Sequence, residues 1–263
     1  IKKIMKKQIL SILFTLSFLI SFSQLVSYEA IWVNDGMEDD YVAVEEMWSE
    51  VKKQAIADNL QNFWIVFKVE KDSTNPEHLT KPDYIVMNGF EDDAQRTMQK
   101  NWKELAMKVY KGKMSKRKFE KAWDMTPTVR KETKNILVER LDNSVWSPLT
   151  EGKEARFIIN GFKALNDDYE NFEMKYFKEN HNKQIEAGSR AWWEFNKVIS
   201  RSENANQEVT HFTMDVIDAN YQWSNDNEPS FTDQMMSKYG VASRERVLGD
   251  RMSMVYALFQ ENE

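Results

Sequence analysis

Asp39-Asp40-Tyr41 opens a stretch that runs to Glu91 and is met twice in the chain. After the acidic pair and the tyrosine comes an amphipathic segment. The apolar run Phe63-Trp64-Ile65-Val66-Phe67, a polar connection and a second apolar run from Tyr84 to Phe90 follow. The same order returns 128 residues later as Asp167-Asp168-Tyr169, another amphipathic segment, Trp192-Trp193-Glu194-Phe195 and the run from His211 to Asp218. The acidic openers are 128 residues apart and the Trp-bearing runs 129, so one residue has been gained near the helix end. A period this long is a domain duplication, not a solenoid. Its boundary falls near Ser144 to Gly152, which divides the chain into residues 24–144 and 145–263.

In the first copy, Tyr28 to Val33 is β-rich and stops at the turn signal Asn34-Asp35-Gly36. Asp39 or Asp40 is the expected helix N-cap. Tyr41, Val44, Trp48, Val51 and Ala55 then fall along one helical face, which leaves Glu45, Glu50, Lys52 and Lys53 for solvent. Phe63 to Val69 alternates as a strand. The segment 72–82, with Pro76 and Pro82, reads as a loop, and Tyr84 to Phe90 as the next strand. Asp92 to Tyr110 reads as one helix and Lys111 to Lys118 as a solvated connector. Phe119 to Met125 adds a helical turn or two, Pro127 opens another short helix, and Ile136 to Leu141 is a strand.

The second copy begins with a strand over Arg156 to Asn160. A helix follows whose apolar side is Tyr169, Phe172, Tyr176, Phe177 and Ile185, with Gly188 as its stop. Ala191 to Ile199 and Val209 to Asp218 are strands. Residues 218–229 are polar and erode the second helix, Phe231 to Tyr239 is helical, and Arg251 to Phe259 closes the copy as a strand, with a C-terminal helix as the alternative. The order strand, helix, strand, strand, helix, strand is the split βαβ arrangement. The fold class is α+β: two tandem ferredoxin-like βαββαβ repeats whose antiparallel sheets form an α/β barrel within one chain.

Lys2, Lys3, Lys6 and Lys7 precede an apolar run from Ile9 to Phe22, and small or polar residues follow it. This is the layout of a secretory signal peptide over residues 1–23; the run is short for a membrane span. Its removal takes the formal charge from -6 to -10. A chain that acidic is a poor partner for nucleic acid or for anionic membrane surfaces. Cysteine is absent, so disulfides and thiolate chemistry are excluded. The expected location is outside the cytoplasm, periplasmic or extracellular, with no stable membrane association once the leader is cleaved.

Two copies with an acidic lead-in, a tyrosine, an aromatic-rich first helix and a Trp-bearing second strand resemble the dimeric α/β-barrel superfamily. That superfamily includes antibiotic-biosynthesis-monooxygenase-like and NIPSNAP-like domains. The resemblance covers most of residues 25–260. It implies two sheets paired face to face and small organic ligands or haem held on the sheet face away from the helices. It implies no single catalytic motif, since some members are cofactor-free oxygenases or cyclases.

The chain has three histidines. His78 lies in a Pro-flanked loop. His181 sits between Phe177 and Ile185 on a helical stripe, either as a core-edge residue or as a pocket residue. His211 shares a strand face with Thr213 and Asp215. If Phe212, Met214 and Val216 pack on the helices, His211 and Asp215 point between the sheets, where the pair suits general acid–base work. The bland reading of that face is a solvated one. Trp192, Trp193, Thr213 and Tyr256 are candidate ligand contacts beside His181. No metal site is expected, because the His211 and Asp215 spacing matches no recognised ligand set. No cofactor is expected either, and a haem would need His211 as its axial ligand. Phosphate loops, GxSxG, HExxH and calcium loops are all missing.

Three functions remain open. The first is an exported protein, monomer or homodimer, binding a small, partly apolar organic molecule. The second is a cofactor-independent oxygenase or cyclase using His211 and Asp215. The third is an interaction module pairing through edge strands.

Overall fold

The computed structural model of the protein describes residues 24–98, 100–221 and 228–260. The leader-like segment 1–23 lies outside them, as does most of the polar stretch after Asp218. The elements are β1 (Leu25–Val33), α1 (Glu38–Ala57), β2 (Phe63–Val69), α2 (Pro76–Leu79), β3 (Tyr84–Phe90), α3 (Asp93–Thr97), α4 (Trp102–Tyr110), α5 (Lys116–Thr128) and β4 (Arg130–Asn143). The second copy follows with β5 (Ala155–Ala164) and α6 (Tyr169–Asn171). A π-helical turn (Phe172–Phe177) leads on to α7 (Lys178–Glu186), β6 (Arg190–Arg201), β7 (His211–Asp218), α8 (Phe231–Ala242) and β8 (Arg244–Phe259). The hydrogen-bonded strand order β1-β3-β2-β8-β5-β7-β6-β4 closes into a barrel. This is the α+β, tandem ferredoxin-like arrangement expected from the repeated stretch.

The described residues gather into two compact units, one of residues 24–137 with 254–260 and one of Val138–Ser253. In the first unit β3 pairs antiparallel with both β1 and β2. Tyr41, Val44 and Ile56 of α1 pack on Ile31, Trp64, Val66, Tyr84 and Val86. Val51 joins Ala106 and Phe119 in a smaller cluster that seats α4 and α5 on α1. Gly89 allows a close approach on the opposite sheet face, where an added Cβ would come within 2.0 Å of the Phe63 ring. In the second unit β7 pairs with β5 and β6, and β5 pairs with β8. Phe162, Tyr169, Trp193 and Phe195 form the core between that sheet and its helices.

Several expectations change. Neither Asp39 nor Asp40 caps α1: the cap is Met37, without a side-chain bond, and Glu38, Asp39 and Asp40 form the first turn, where their charge suits the helix N-terminus. The helix expected over Asp92 to Tyr110 is two helices. Asp92 caps α3 through Gln95 N at 2.8 Å, and Asn101 caps α4 through Glu104 N at 3.1 Å. A cap within an apolar period starts a new helix without disturbing the spacing. The 72–82 loop contains the short helix α2, capped by Asn75. Pro127 sits inside the last turn of α5 and opens no helix of its own. Gly188, at φ 69°, follows α7 as expected. The closing segment is a strand, starting at Arg244.

Glu45 and Lys52 are the informative errors. Their polarity predicts solvent for both, yet Glu45 is 2% exposed and Lys52 is half-buried. At about 100° per residue, positions four and eleven after Tyr41 return to within about 40° of it. They therefore lie on the buried face whatever their polarity.

Candidate functional site: buried polar groups between sheet and helices

The expected orientation of β7 is reversed. All eight of its residues are buried, so alternation of polarity does not mark a wet side. His211 stacks on Phe195 at 5.2 Å and meets Tyr169 edge-on at 5.1 Å, which places it on the helix-facing side. Thr213 and Asp215 share that side, since Asn160 Nδ2 donates to Thr213 Oγ1 and Asp215 Oδ2, both at 3.3 Å. Both His211 nitrogens are engaged, Nδ1 with Thr210 Oγ1 at 2.8 Å and Nε2 with Glu170 Oε1 at 3.2 Å. With both nitrogens engaged, the side chain does not suit an axial haem ligand. Burial pulls the His211 imidazole down, against an upward pull from Glu170. His211 and Asp215 are not paired: Asp215 bonds to Arg190, a contact 25 residues back on β6.

Adjacent strand residues face opposite ways, and this separates the two tryptophans. Trp193 lies on the helix side against His181 at 5.3 Å and Phe195 at 6.3 Å. Trp192 lies on the other face under the Arg140 guanidinium at 5.9 Å, where Arg140 pairs with Glu194 at 2.7 Å. Tyr256 belongs to the other compact unit, stacked on Trp64 at 5.9 Å. Of the seven candidates, the structure thus brings together His181, Trp193, His211, Thr213 and Asp215.

Four residues that carry no mark of a site in the sequence complete the group. Arg190 holds Asp215 and donates from Nε to Gln184 Oε1 at 2.9 Å. Arg244 pairs with Glu173, which is 1% exposed. The Arg244 guanidinium also lies 4.3 Å over Phe162 and 4.4 Å over Phe177. Tyr169 is buried beside Glu173, and burial first, then that carboxylate, drives its phenol far up. His181 Nδ1 is closed off from solvent and has no hydrogen-bond partner. Burial, then Arg190 and Arg244, holds the imidazole well below its usual range, so it is neutral at pH 7. Asp215 is raised by burial against the pull of Arg190. Glu173 is raised to about 7, by burial first, with Arg244 opposing and Asp215 reinforcing. A neutral imidazole with a free nitrogen, two raised carboxylates and two guanidiniums in one desolvated place make this cluster the candidate site.

The raised Glu173 has a measurable sign. Its folded pKa lies above the ordinary 4.5, so the folded state holds the proton more tightly. That contribution is complete below about pH 4.5 and is lost as pH rises through about 7, for roughly 3 kcal/mol at most. Thermal melts of the parent are expected to lose stability over that window, and Glu173→Gln is expected to flatten the slope. Equal slopes in the two proteins would show that Glu173 is not the titrating group.

The same constellation exists in the first unit. Tyr41 and Glu45 match Tyr169 and Glu173 at an offset of 128, while Lys52, Gln61 and Trp64 match His181, Arg190 and Trp193 at 129. The extra residue falls in the π-helical turn Phe172–Phe177, a turn that takes one more residue than an α turn. Strand pairing confirms the match: Trp64 faces Asn88 and Trp193 faces Asp215. Asn88 Nδ2 donates to Glu29 Oε1 at 3.2 Å, and Asn160 Nδ2 donates to Asp215 Oδ2 at 3.3 Å. This is one amide–carboxylate bond with its partners exchanged. Arg130 opens β4 and holds Glu45 at 3.1 Å and Glu29 at 3.2 Å, as Arg244 opens β8 and holds Glu173. The two units differ at the basic position. Lys52 donates to Asn88 Oδ1 and Gln61 Oε1, whereas the His181 nitrogen is left open.

Among the described residues, no three His, Asp or Glu side chains come together as a metal ion requires. An open groove of about 470 Å³ lies outside the π-helical turn, between Phe172, Tyr176 and Met236, and none of the candidate residues lines it.

No protein-family profile matches the sequence, and no curated protein matches it. Solved structures do match. A candidate monooxygenase of Fusobacterium nucleatum subsp. nucleatum is 10% identical, with 90% of this chain and 94% of that one covered at a TM-score of 0.55. A candidate monooxygenase of Lactobacillus acidophilus is 10% identical, with 90% and 97% covered at a TM-score of 0.50. Identity this low speaks for the fold alone. That fold is the dimeric α/β barrel, formed here in a single chain from two ferredoxin-like repeats.

Proposed function

We propose that the protein is exported and binds a small, partly apolar organic acid between the sheet and helices of its second unit. The observation that carries this reading is His181 Nδ1, enclosed and without a partner. It lies beside the Trp193 ring and in the field of Arg190 and Arg244. Burying a hydrogen-bonding nitrogen unpaired costs about 1–3 kcal/mol, which a ligand donor would relieve. Trp193 supplies an apolar wall, and the two guanidiniums favour an anionic or hydroxyl-bearing ligand. The export half of the proposal rests on the basic and apolar leader of residues 1–23.

One experiment reads both halves. The full chain is expressed with its leader in a bacterium, recovered from the periplasm and examined by native mass spectrometry. The expected species lacks residues 1–23 and carries a retained small molecule, which His181→Leu loses. An intact leader would overturn the export reading. A clean apo mass across several preparations, or full retention in His181→Leu, would overturn the site.

A catalytic reading is favoured by the neutrality of His181. A neutral imidazole accepts a proton from an acidic C–H or O–H, and Arg190 and Arg244 stand beside the anion so formed. This is the cofactor-independent oxygenase or cyclase alternative, with His181 in place of His211 as the base. Deuterium exchange into the retained ligand on the parent protein, faster than into the same ligand free in buffer, distinguishes it from binding alone.

A further inference from the structure

Lys52 is a buried amine that the site of the second unit does not use. Its Nζ donates to Asn88 Oδ1 at 2.9 Å and Gln61 Oε1 at 3.1 Å. The same nitrogen lies 4.1 Å over the Trp102 ring and 5.8 Å from that of Trp48. The residue is half-buried, so part of it meets solvent. It occupies the position that His181 holds in the other repeat, where the candidate base stands.

We propose that Lys52 is a nucleophilic amine that captures a small aldehyde or ketone as an imine, giving the first unit a covalent site of its own. In the step, the Nζ lone pair attacks the carbonyl carbon and a C–N bond forms. The carbonyl oxygen takes up the proton that nitrogen gives away, which leaves a carbinolamine. Loss of the second N–H proton and cleavage of the C–O bond release that oxygen as water and form C=N. Amine and carbonyl become imine and water, and no oxidant or reductant is consumed.

The surroundings suit each stage. Asn88 and Gln61 offer carbonyl oxygens that hold the N–H groups of amine and carbinolamine in turn. A protonated imine keeps its positive charge over Trp102. The charged groups facing Lys52 are Glu29 and Glu45, which raise its affinity for protons, and Lys100 and Arg130, which lower it; burial, joined by the two cations, outweighs the carboxylates and brings the amine to about 8. At pH 7 about one-tenth is then neutral, roughly 300-fold more than for a lysine at its ordinary 10.5.

The test is labelling of the full chain with propanal and sodium cyanoborohydride at pH 7, which reduces any imine to a stable propylamine, followed by peptide mass mapping. Lys52 is expected to be alkylated at least tenfold faster than Lys113 or Lys183, which are 57% and 64% exposed. Its rate should rise with pH to a midpoint near 8, and the preference should vanish in urea. Labelling of Lys52 no faster than of the exposed lysines would overturn the proposal. A preference that survives unfolding would overturn it as well, because the reactivity would then belong to the local sequence and not to the folded cluster.

Discussion

Replacing Arg244 with leucine is expected to cost about 3–5 kcal/mol of stability, the usual penalty when a buried ion pair loses one partner. Glu173 would be left 1% exposed and without the guanidinium that pairs with it. The change also removes a cation from over Phe162 and Phe177. Unfolding in urea, followed by tryptophan fluorescence, reads the loss. Adding Glu173→Leu to the same protein should recover much of it, since an apolar pair removes the stranded carboxyl. The contrasting control is Lys163→Ala. Lys163 pairs with Glu208 at side-chain exposures of 39% and 64%, and exposed pairs of this kind contribute little to stability. A loss for Arg244→Leu as small as that of the control would mean that the Glu173 pair does not fasten helix to sheet.

Trp193→Ala is expected to cost a comparable amount, about 3–5 kcal/mol, because it opens a large cavity in a packed core. Trp193 is 1% exposed and packs between His181 and Phe195. This change has a second consequence that a purely structural residue would not produce. Burial is the main cause of the depressed His181 pKa, so water admitted to the cavity should move that imidazole back toward its ordinary value. NMR titration of the histidine ring protons follows this directly. Val145→Ala, at a position 85% exposed, should change neither stability nor titration. A stable Trp193→Ala protein with an unmoved His181 would place the tryptophan outside the site.

The repeated stretch made the architecture legible. A period of two in Phe63 to Val69 and a helical face from Tyr41 to Ala55 are local signals, and their return 128 residues later carries the duplication. The candidate site was half legible. Asp39-Asp40-Tyr41-Val42-Ala43-Val44-Glu45 set against Asp167-Asp168-Tyr169-Glu170-Asn171-Phe172-Glu173 shows the tyrosine and glutamate kept at one spacing. Polarity alone sends Glu45 to solvent, although the helical angle returns it to the tyrosine's side. Arg190 and Arg244 gave no such signal. Each is the first residue of a strand, and its importance lies in a partner 25 or 71 residues away.

By itself the sequence determined the kind of each main element, the two-copy plan and the pool of titratable residues. Those follow from spacing along the chain, which is a local property. Tertiary structure alone decided which face of β7 meets the helices, because a strand buried on both sides has no wet side for its polar residues to mark. It also decided that His181, Asp215 and Glu173 share one desolvated place and that the Lys52 amine lies over the Trp102 ring. Burial and charge proximity set what these groups can do, and both are properties of neighbours brought in from distant parts of the chain.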